Sequence, residues 1–210
     1  MIAGAYILGS VPFGFLIAKA HGQDLRKIGS GNIGATNTGR ILGKKWGIIC
    51  LILDSLKALI PMLIMKTQMS SPPEVGQLWG WLAVGCAAII GHIFPVFLKF
   101  KGGKGAATSL GMVIGLYPYY TLAGLIAFAV WIGFVLITKY VSLASIVSAA
   151  VFPLVLIIAI SVFKSWEFSN LWPLLVVSVV ISLLVIVRHA ENIKRLLEGS
   201  EAKVLEKRKS

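Results

Sequence analysis

Seven apolar runs, separated by short polar stretches, occupy most of this chain. They fall at about 1–18, 46–65, 77–98, 105–119, 121–137, 142–162 and 171–188. A helix that crosses the roughly 30 Å hydrocarbon layer of a membrane needs about 20 predominantly apolar residues. Most of the runs approach that length. Composition agrees, since 57% of the 210 residues are hydrophobic and only 13% are charged; soluble domains carry about 25% charged residues. Lipid admits only helices and closed barrels, and these runs lack the alternation of barrel strands. The expected fold is therefore all-α: a polytopic helical membrane protein with about seven transmembrane helices. The run at 105–119 is short and glycine-rich, so its limits are the least defined. The first run has no charged leader, with its first lysine at Lys19. It reads as a retained span rather than a cleaved signal. Cys50 and Cys86 lie inside spans, without a neighbour at disulfide or zinc spacing, and read as packing residues.

Charge sorts the loops into two sets. One holds Lys19, Arg26, Lys27, Arg40, Lys44, Lys45, Lys99, Lys101, Lys104 and Lys139, together with the cations from Arg188 to Lys209. The other holds only Lys66 and Lys164. Cytoplasmic loops carry the excess of Lys and Arg, so the N-terminus is expected outside and the C-terminus in the cytoplasm. An odd number of spans gives the same result. Residues 1–192 read as a single integral membrane domain. Residues 193–210 read as a basic cytoplasmic tail suited to anionic lipid.

Three clusters on the basic side carry candidate chemistry. The first is GSGNIGATNTGR, residues 29–40. Its glycines match a dinucleotide-binding spacing, but no strand precedes them and no βαβ pattern follows. What remains is an anion-ready loop. Glycines let successive backbone N–H groups converge, Ser30, Asn32, Thr36, Asn37 and Thr38 add short polar groups, and Arg40 offers a fork matched to phosphate. Gly31 belongs to the same nest. The plain alternative is a flexible polar linker. The second cluster is KFKGGKGAAT, residues 99–108. Leu98 and Gly105 occupy positions where a Walker A loop needs Gly and Ser or Thr, so no nucleotide is implied. Gly102, Gly103, Lys104 and Gly105 instead suggest amides and a point charge at a helix N-terminus. A lysine cluster that merely orients the protein is the alternative.

The third cluster is RHAENIKR, residues 188–195. On a continuous helix Arg188 shares a face with Glu191 and with Asn192, and His189 titrates near neutral pH. Asp54 and Lys57 sit inside the second span at i, i+3. A lone charge there costs about 2.5–3.5 kcal/mol, so the two are expected to pair in the interior. His92 is a lesser candidate that equally suits a packed histidine. Ser142 opens the sixth run from the basic side. The eight acids of the chain form no carboxylate cluster suited to Mg²⁺ or Mn²⁺. Anions would be held by amides, Lys and Arg, and no metal is expected.

GSVPFGFLIAK, GSGNIGATNTGR, Asp54-x-x-Lys57, GHIFPVFLKFKGGKGAAT, KYVSLASI and RHAENIKRLLEG stand in the order found in the bacterial acyl-phosphate:glycerol-3-phosphate acyltransferases, the PlsY family. The resemblance runs from residue 9 to about 201. It implies transfer of a fatty acyl group from acyl phosphate to the sn-1 hydroxyl of glycerol 3-phosphate, giving lysophosphatidate and phosphate in phospholipid biosynthesis. It further implies a multi-pass protein of the bacterial inner membrane, with its site on the cytoplasmic side. The partners implied are the two substrates and membrane lipid, with no cofactor and no nucleic acid. By this resemblance the essential serine and arginine fall on Ser30 and Arg40, and the glycerol-3-phosphate loop on Gly102, Gly103, Lys104 and Gly105. The third-motif residues fall on His189, Asn192 and Glu191, the last with a structural role. Lys139, Ala58 and Ala106 depart from the common Arg, Gly and Val. Whether His189 or the substrate's own phosphate takes the proton stays open. From the residues alone, an anion channel or secondary transporter for phosphate-type solutes is the competing reading.

Overall fold

The structure, a computed structural model, describes residues 1–204 and contains ten α-helices and no strand among them. The cations Lys207, Arg208 and Lys209 of the expected tail lie outside the described residues. In order, the helices are α1 (Ile2–Ser10), α2 (Phe13–Ala20), α3 (Ala35–Leu42), α4 (Lys44–Lys66), α5 (Val75–Ile93), α6 (Ala106–Gly115), α7 (Thr121–Thr138), α8 (Val141–Val162), α9 (Phe168–Arg188) and α10 (Ala190–Leu197). Six segments are long and apolar enough to cross a membrane, counting α1 and α2 together.

The expected spans are present with two changes. The first is two helices, because Val11 is extended and Pro12 interrupts the ladder. The run at 105–119 yields only the ten-residue α6, about 15 Å long and half the apolar layer. Its ends fix its depth. Ser55 Oγ, midway along α4, lies 2.9 Å from the Ala107 carbonyl, and Lys66 Nζ at the end of α4 donates to the Tyr117 carbonyl at 2.9 Å. α6 therefore runs beside the second half of α4. The segment 94–105, which contains a short 3₁₀ turn at Val96–Leu98, enters the bundle to reach it. Lys104 is carried down to about the level of Ser55, roughly 16 Å along α4 from its first residue.

Small residues allow the close helix contacts that apolar surroundings favour. A Cβ at Gly9 would fall 2.3 Å from the Ala88 carbonyl, one at Gly91 2.3 Å from the Tyr6 carbonyl, and one at Gly111 1.9 Å from the Ser55 carbonyl. Gly9 and Gly91 thus mark the line along which α1 packs on α5. Deeper in the core, Trp81 Nε1 donates to the Met62 carbonyl at 3.0 Å, and Tyr120 Oη donates to the Leu174 carbonyl at 2.6 Å. These bonds satisfy the polar atoms of two large buried side chains.

Asp54 and Lys57 form the expected pair, 2.8 Å apart and almost wholly buried. Lys57 Nζ also donates to His92 Nδ1 at 3.2 Å and sits 5.3 Å from the centre of the Phe13 ring. A lysine ammonium only donates, so His92 accepts at Nδ1 and carries its proton on Nε2. Cys50 Sγ approaches Asp54 Oδ2 at 3.4 Å. The group thus ties α4 to α5 and α2. Removing one partner of such a pair leaves an uncompensated buried charge, at about 3–5 kcal/mol. Lys57→Met is expected to lower the thermal unfolding temperature in detergent sharply, and Asp54→Asn combined with Lys57→Met to recover part of that loss. Equal unfolding temperatures for the single and double variants would show that the charges are not coupled.

Candidate active site

The three clusters meet in one cavity of about 400 Å³. Ser30, Asn32, Thr36, Asn37 and Arg40 line it from the first loop and α3, Lys104 and Gly105 from the second, Ser142 from α8, and His189 and Asn192 from the junction of α9 and α10. The cavity continues from this polar end between α6, α7, α8 and α9, past Val113, Phe128, Trp131, Phe152 and Val185. At its deep end Tyr120 and Phe152 pack edge to face with centres 5.0 Å apart.

The first loop is held by Asn37, which is buried beneath it. Its Nδ2 donates to the carbonyls of Leu25, Ile28 and Asn32 at 2.9–3.3 Å, and its Oδ1 accepts the Ser30 amide at 3.0 Å. Asn32 closes the turn by accepting the Gly34 amide at 2.9 Å. Asn37 was expected to bind substrate; its amide is instead committed to shaping the loop. Gly29 has a φ of +63°, and a Cβ there would fall 2.2 Å from Asn37 Oδ1. Gly31, at φ +72°, donates its amide to Ile28. Neither glycine therefore forms the expected open nest. The anion-ready amides lie one step further on, where α3 begins at Ala35. Ala35 and Thr36 face the cavity there, and free N–H groups of a first turn favour negative charge.

The second loop shows the same displacement of function. The Gly102 amide donates to the Ile93 carbonyl and the Gly103 amide to the His92 carbonyl, both at 3.1 Å. These amides are spent on clamping the loop to the end of α5. The glycines are required because a Cβ at Gly102 would fall 2.2 Å from the His92 carbonyl, and one at Gly103 2.1 Å from His92 Nε2. The clamp delivers Lys104 into the cavity and leaves Gly105, at φ +86°, to start α6. Gly105, Ala106 and Ala107 line the cavity, so a second helix N-terminus opens on it.

Lys104 Nζ donates to Asn192 Oδ1. Burial, aided by Arg195, lowers the Lys104 pKa to about 8. His189 sits at the break between α9 and α10, and its Nδ1 donates to the Val185 carbonyl at 2.7 Å. Nε2 is then left as the acceptor. Burial lowers its pKa to about 4, so the ring is neutral at physiological pH. The break also ends the expected continuous face from Arg188 to Asn192. Arg188 turns instead to the Gly103 carbonyl at 3.3 Å and lies over the Phe94 ring, and its buried Nε has no hydrogen-bond partner among the described residues. Glu191 points outward, 87% exposed and 4.0 Å from Arg195. Asp54 and His92 reach the cavity wall, whereas Lys57 lies behind them.

Two residues inside the cavity were missed in the sequence, Arg195 and Glu201. Both fall in the expected tail, whose boundary at 192 lies within α10. The stretch is net basic and reads as solvated, although Ile193, Leu196 and Leu197 recur at i, i+3 and i+4, the spacing of one apolar helix face. Among the described residues, no group of three or more His, Cys, Asp or Glu could hold a metal ion.

Comparison with known proteins gives one consistent result. The family model described as Glycerol-3-phosphate acyltransferase matches residues 1–199. A glycerol-3-phosphate acyltransferase of Geotalea daltonii is 48% identical over 96% of this chain and 94% of its own length. One from Aquifex aeolicus is 44% identical over 96% of each chain. Two crystal structures of PlsY (YgiH), an integral membrane glycerol 3-phosphate acyltransferase, share the fold. The glycerol 3-phosphate form has a TM-score of 0.82 at 43% identity, and the lysophosphatidic acid form 0.79 at 42%; each comparison covers 96% of this chain and 92% of the other. A multi-pass membrane protein by its own helices, this chain belongs to the glycerol-3-phosphate acyltransferase family.

Proposed function

We propose that this protein transfers a fatty acyl group from acyl phosphate to the sn-1 hydroxyl of glycerol 3-phosphate, releasing lysophosphatidate and inorganic phosphate. We place the reaction at the cytoplasmic face of a bacterial inner membrane, with the N-terminus outside. The observation that carries this reading is the two-part cavity. Its polar end gathers Arg40, Lys104 and two helix N-termini, and the rest is an apolar cleft between membrane-spanning helices. A headgroup with phosphate charge and a hydrocarbon tail need that combination in one space. The likeness to structures of PlsY in glycerol 3-phosphate and lysophosphatidic acid forms supports the acceptor and the product.

In the reaction the acceptor oxygen attacks the acyl carbonyl carbon, and the bond from that carbon to the phosphate oxygen breaks. The mixed anhydride is already activated. The protein's part is to hold the two reactants in line and to stabilise charge on the phosphates and the tetrahedral oxyanion. The first loop, with Ser30, the start of α3 and Arg40, suits the phosphate of the donor. Lys104, Ser142 and Asn192 suit that of glycerol 3-phosphate. His189 presents a lone pair at Nε2, but a ring held neutral down to about pH 4 is a weak base. We assign the proton to a substrate phosphate oxygen and an orienting role to His189. Ser30 forms no acyl intermediate, because direct attack needs none.

α6 and the break between α1 and α2 are the kind of discontinuous helices that favour a transporter. The apolar cleft joined to the polar end favours the transferase. Purified protein given synthetic acyl phosphate and glycerol 3-phosphate, with divalent ions chelated, is expected to form lysophosphatidate. Phosphate flux into liposomes without product would give the site to transport instead.

Two variants refine the mechanism. His189→Gln is expected to keep kcat within tenfold, with the loss appearing in KM for glycerol 3-phosphate; a fall of about 10²–10⁴ in kcat would make His189 the base. Lys104→Ala is expected to raise KM for glycerol 3-phosphate more than KM for acyl phosphate, and an equal rise in both would reassign the loop. The charged ammonium is the form that attracts a phosphate dianion, and it is lost as pH rises through about 8. KM for glycerol 3-phosphate should therefore climb above that pH, approaching about tenfold per pH unit.

A further inference from the structure

The walls of the apolar cleft carry hydroxyl groups. Ser145 and Ser148 of α8 and Ser178 and Ser182 of α9 line it together with Phe152 and Val185. A serine in an apolar helix ordinarily turns its hydrogen back to a carbonyl of the preceding turn. Three of these four do so. Ser145 Oγ donates to the Val141 carbonyl at 2.9 Å and accepts the Trp131 indole N–H at 3.2 Å. Ser148 Oγ donates to the Ala144 carbonyl at 2.8 Å, and Ser178 Oγ to the Leu175 carbonyl at 2.7 Å. Ser182 differs. It is 7% exposed, and its hydroxyl makes no hydrogen bond among the described residues. A hydroxyl left unbonded in such a place is costly, and a ligand that bonds it recovers that cost.

Ser178 and Ser182 stand one turn apart on the same face of α9, a spacing that sets Cβ atoms about 5–6 Å from each other. Their hydroxyls are in complementary states. Ser178 has given its hydrogen to the helix and keeps lone pairs, whereas Ser182 still has a hydrogen to give. An oxygen lodged between them must accept from one and donate to the other. A hydroxyl does both. A carbonyl or ether oxygen has nothing to donate to Ser178, and an ionised group is too costly to bury unpaired at this depth. The pair lies about 10 and 16 Å along α9 from His189. One leaflet contributes half of the roughly 30 Å hydrocarbon layer, about 15 Å. The two serines therefore meet a leaflet-length tail in its far half, well away from the reacting carbonyl. Ser148 of the neighbouring α8 stands at a comparable depth, about 9 Å from Ser142.

We propose that the tail cleft takes a fatty acyl group bearing a hydroxyl in its far half, a hydroxyl that accepts from Ser182 Oγ and donates to Ser178 Oγ. It is a spectator of the transfer: the acceptor oxygen still attacks the acyl carbon, and phosphate still leaves. The proposal rests on the acyltransferase reading above, and its test separates the two. Purified full-length protein in detergent micelles is given glycerol 3-phosphate and an equimolar pair of donors, octadecanoyl phosphate and its 12-hydroxy derivative. The two lysophosphatidates are quantified by mass spectrometry. Their ratio reads selectivity whatever the total rate, and partitioning of the donors into micelles is the same for every variant. The hydroxylated product is expected to be favoured about tenfold, the worth of one net hydrogen bond. A 3-hydroxy donor, whose oxygen stops near the polar end, is expected to show no such preference. Ser182→Ala and Ser178→Ala should each bring the 12-hydroxy ratio close to one. Ser182→Thr keeps a hydroxyl and should retain most of the preference.

Equal products from the wild-type protein would overturn the proposal and leave the two serines to a bound water or to close packing. A preference that persists when Ser178→Ala and Ser182→Ala are combined would overturn it too, placing the selection elsewhere in the cleft. Should the alanine variants fail to fold, a 3-hydroxy donor favoured as strongly as the 12-hydroxy one would be the overturning result. Binding is followed separately by thermal unfolding with non-hydrolysable phosphonates of the plain and 12-hydroxy chains. A wild-type protein that forms no lysophosphatidate, but is stabilised more by the hydroxylated phosphonate in a way that Ser182→Ala removes, would refute the acyltransferase reading and leave the hydroxyl site standing.

Discussion

Everything at the site hangs from a buried polar group that lipid surroundings would otherwise disfavour: Asp54, Lys57 and His92, packed among α2, α4 and α5. Charges at this depth are costly unless paired, and here each member has a partner within 3.7 Å. The arrangement fixes His92, whose own carbonyl holds the Gly103 amide while its ring fills the space a Cβ at Gly103 would need. Lys104 is the next residue. On the other side, Cys50 contacts Asp54, and Gly14 of α2 stands where a Cβ would meet the Ile33 carbonyl at 2.0 Å and Cys50 Sγ at 3.0 Å. Both glycine-rich loops are thus braced against the same internal ion pair.

That bracing explains how a reactive polar centre lies below the end of a helical bundle. The loop before α6 replaces half of a span with irregular backbone, which membrane depth tolerates only where protein or a cavity receives it. Its amides are paired with α5, its lysine is turned inward, and the shortened α6 leaves a cleft open toward the lipid-facing helices. A water-soluble phosphate acceptor and a lipid-soluble acyl donor can then meet without either leaving its solvent. With the proposed acyl-phosphate donor, an already activated anhydride, proximity is the main contribution asked of the protein.

The motif residues were legible because their types are chemically unusual for where they stand. A glycine-rich loop with Arg40, a lysine between glycines, an acid and a base inside an apolar run, and a histidine beside an asparagine each conflict with a purely structural membrane helix. What the residues contribute was less legible. Glycines that looked like an anion nest turned out to permit close backbone approach, at Gly102 and Gly103, or to shape a turn around Asn37, at Gly29. The residues that open on the cavity belong to the first turns of α3 and α6, whose positions depend on where those helices start. Arg195 had a signal that was passed over, the helical spacing of Ile193, Leu196 and Leu197 around it; Glu201 had none, because a charged residue beyond the last helix looks the same whether it is solvated or folded back.

The sequence alone determined that this chain lives in a membrane as a helical bundle and carries three polar clusters on its basic side. Hydrophobic length and charge asymmetry are local quantities, summed along the chain and indifferent to packing. Only the tertiary structure decided that α6 is half a span, that the clusters share one cavity with an apolar extension, and that the segment 198–204 after α10 folds back onto it. Those outcomes depend on contacts between residues far apart in the chain, Ser55 with Ala107, Lys104 with Asn192, Ser142 with Glu201. A linear pattern carries no record of which distant donor a buried acceptor will meet.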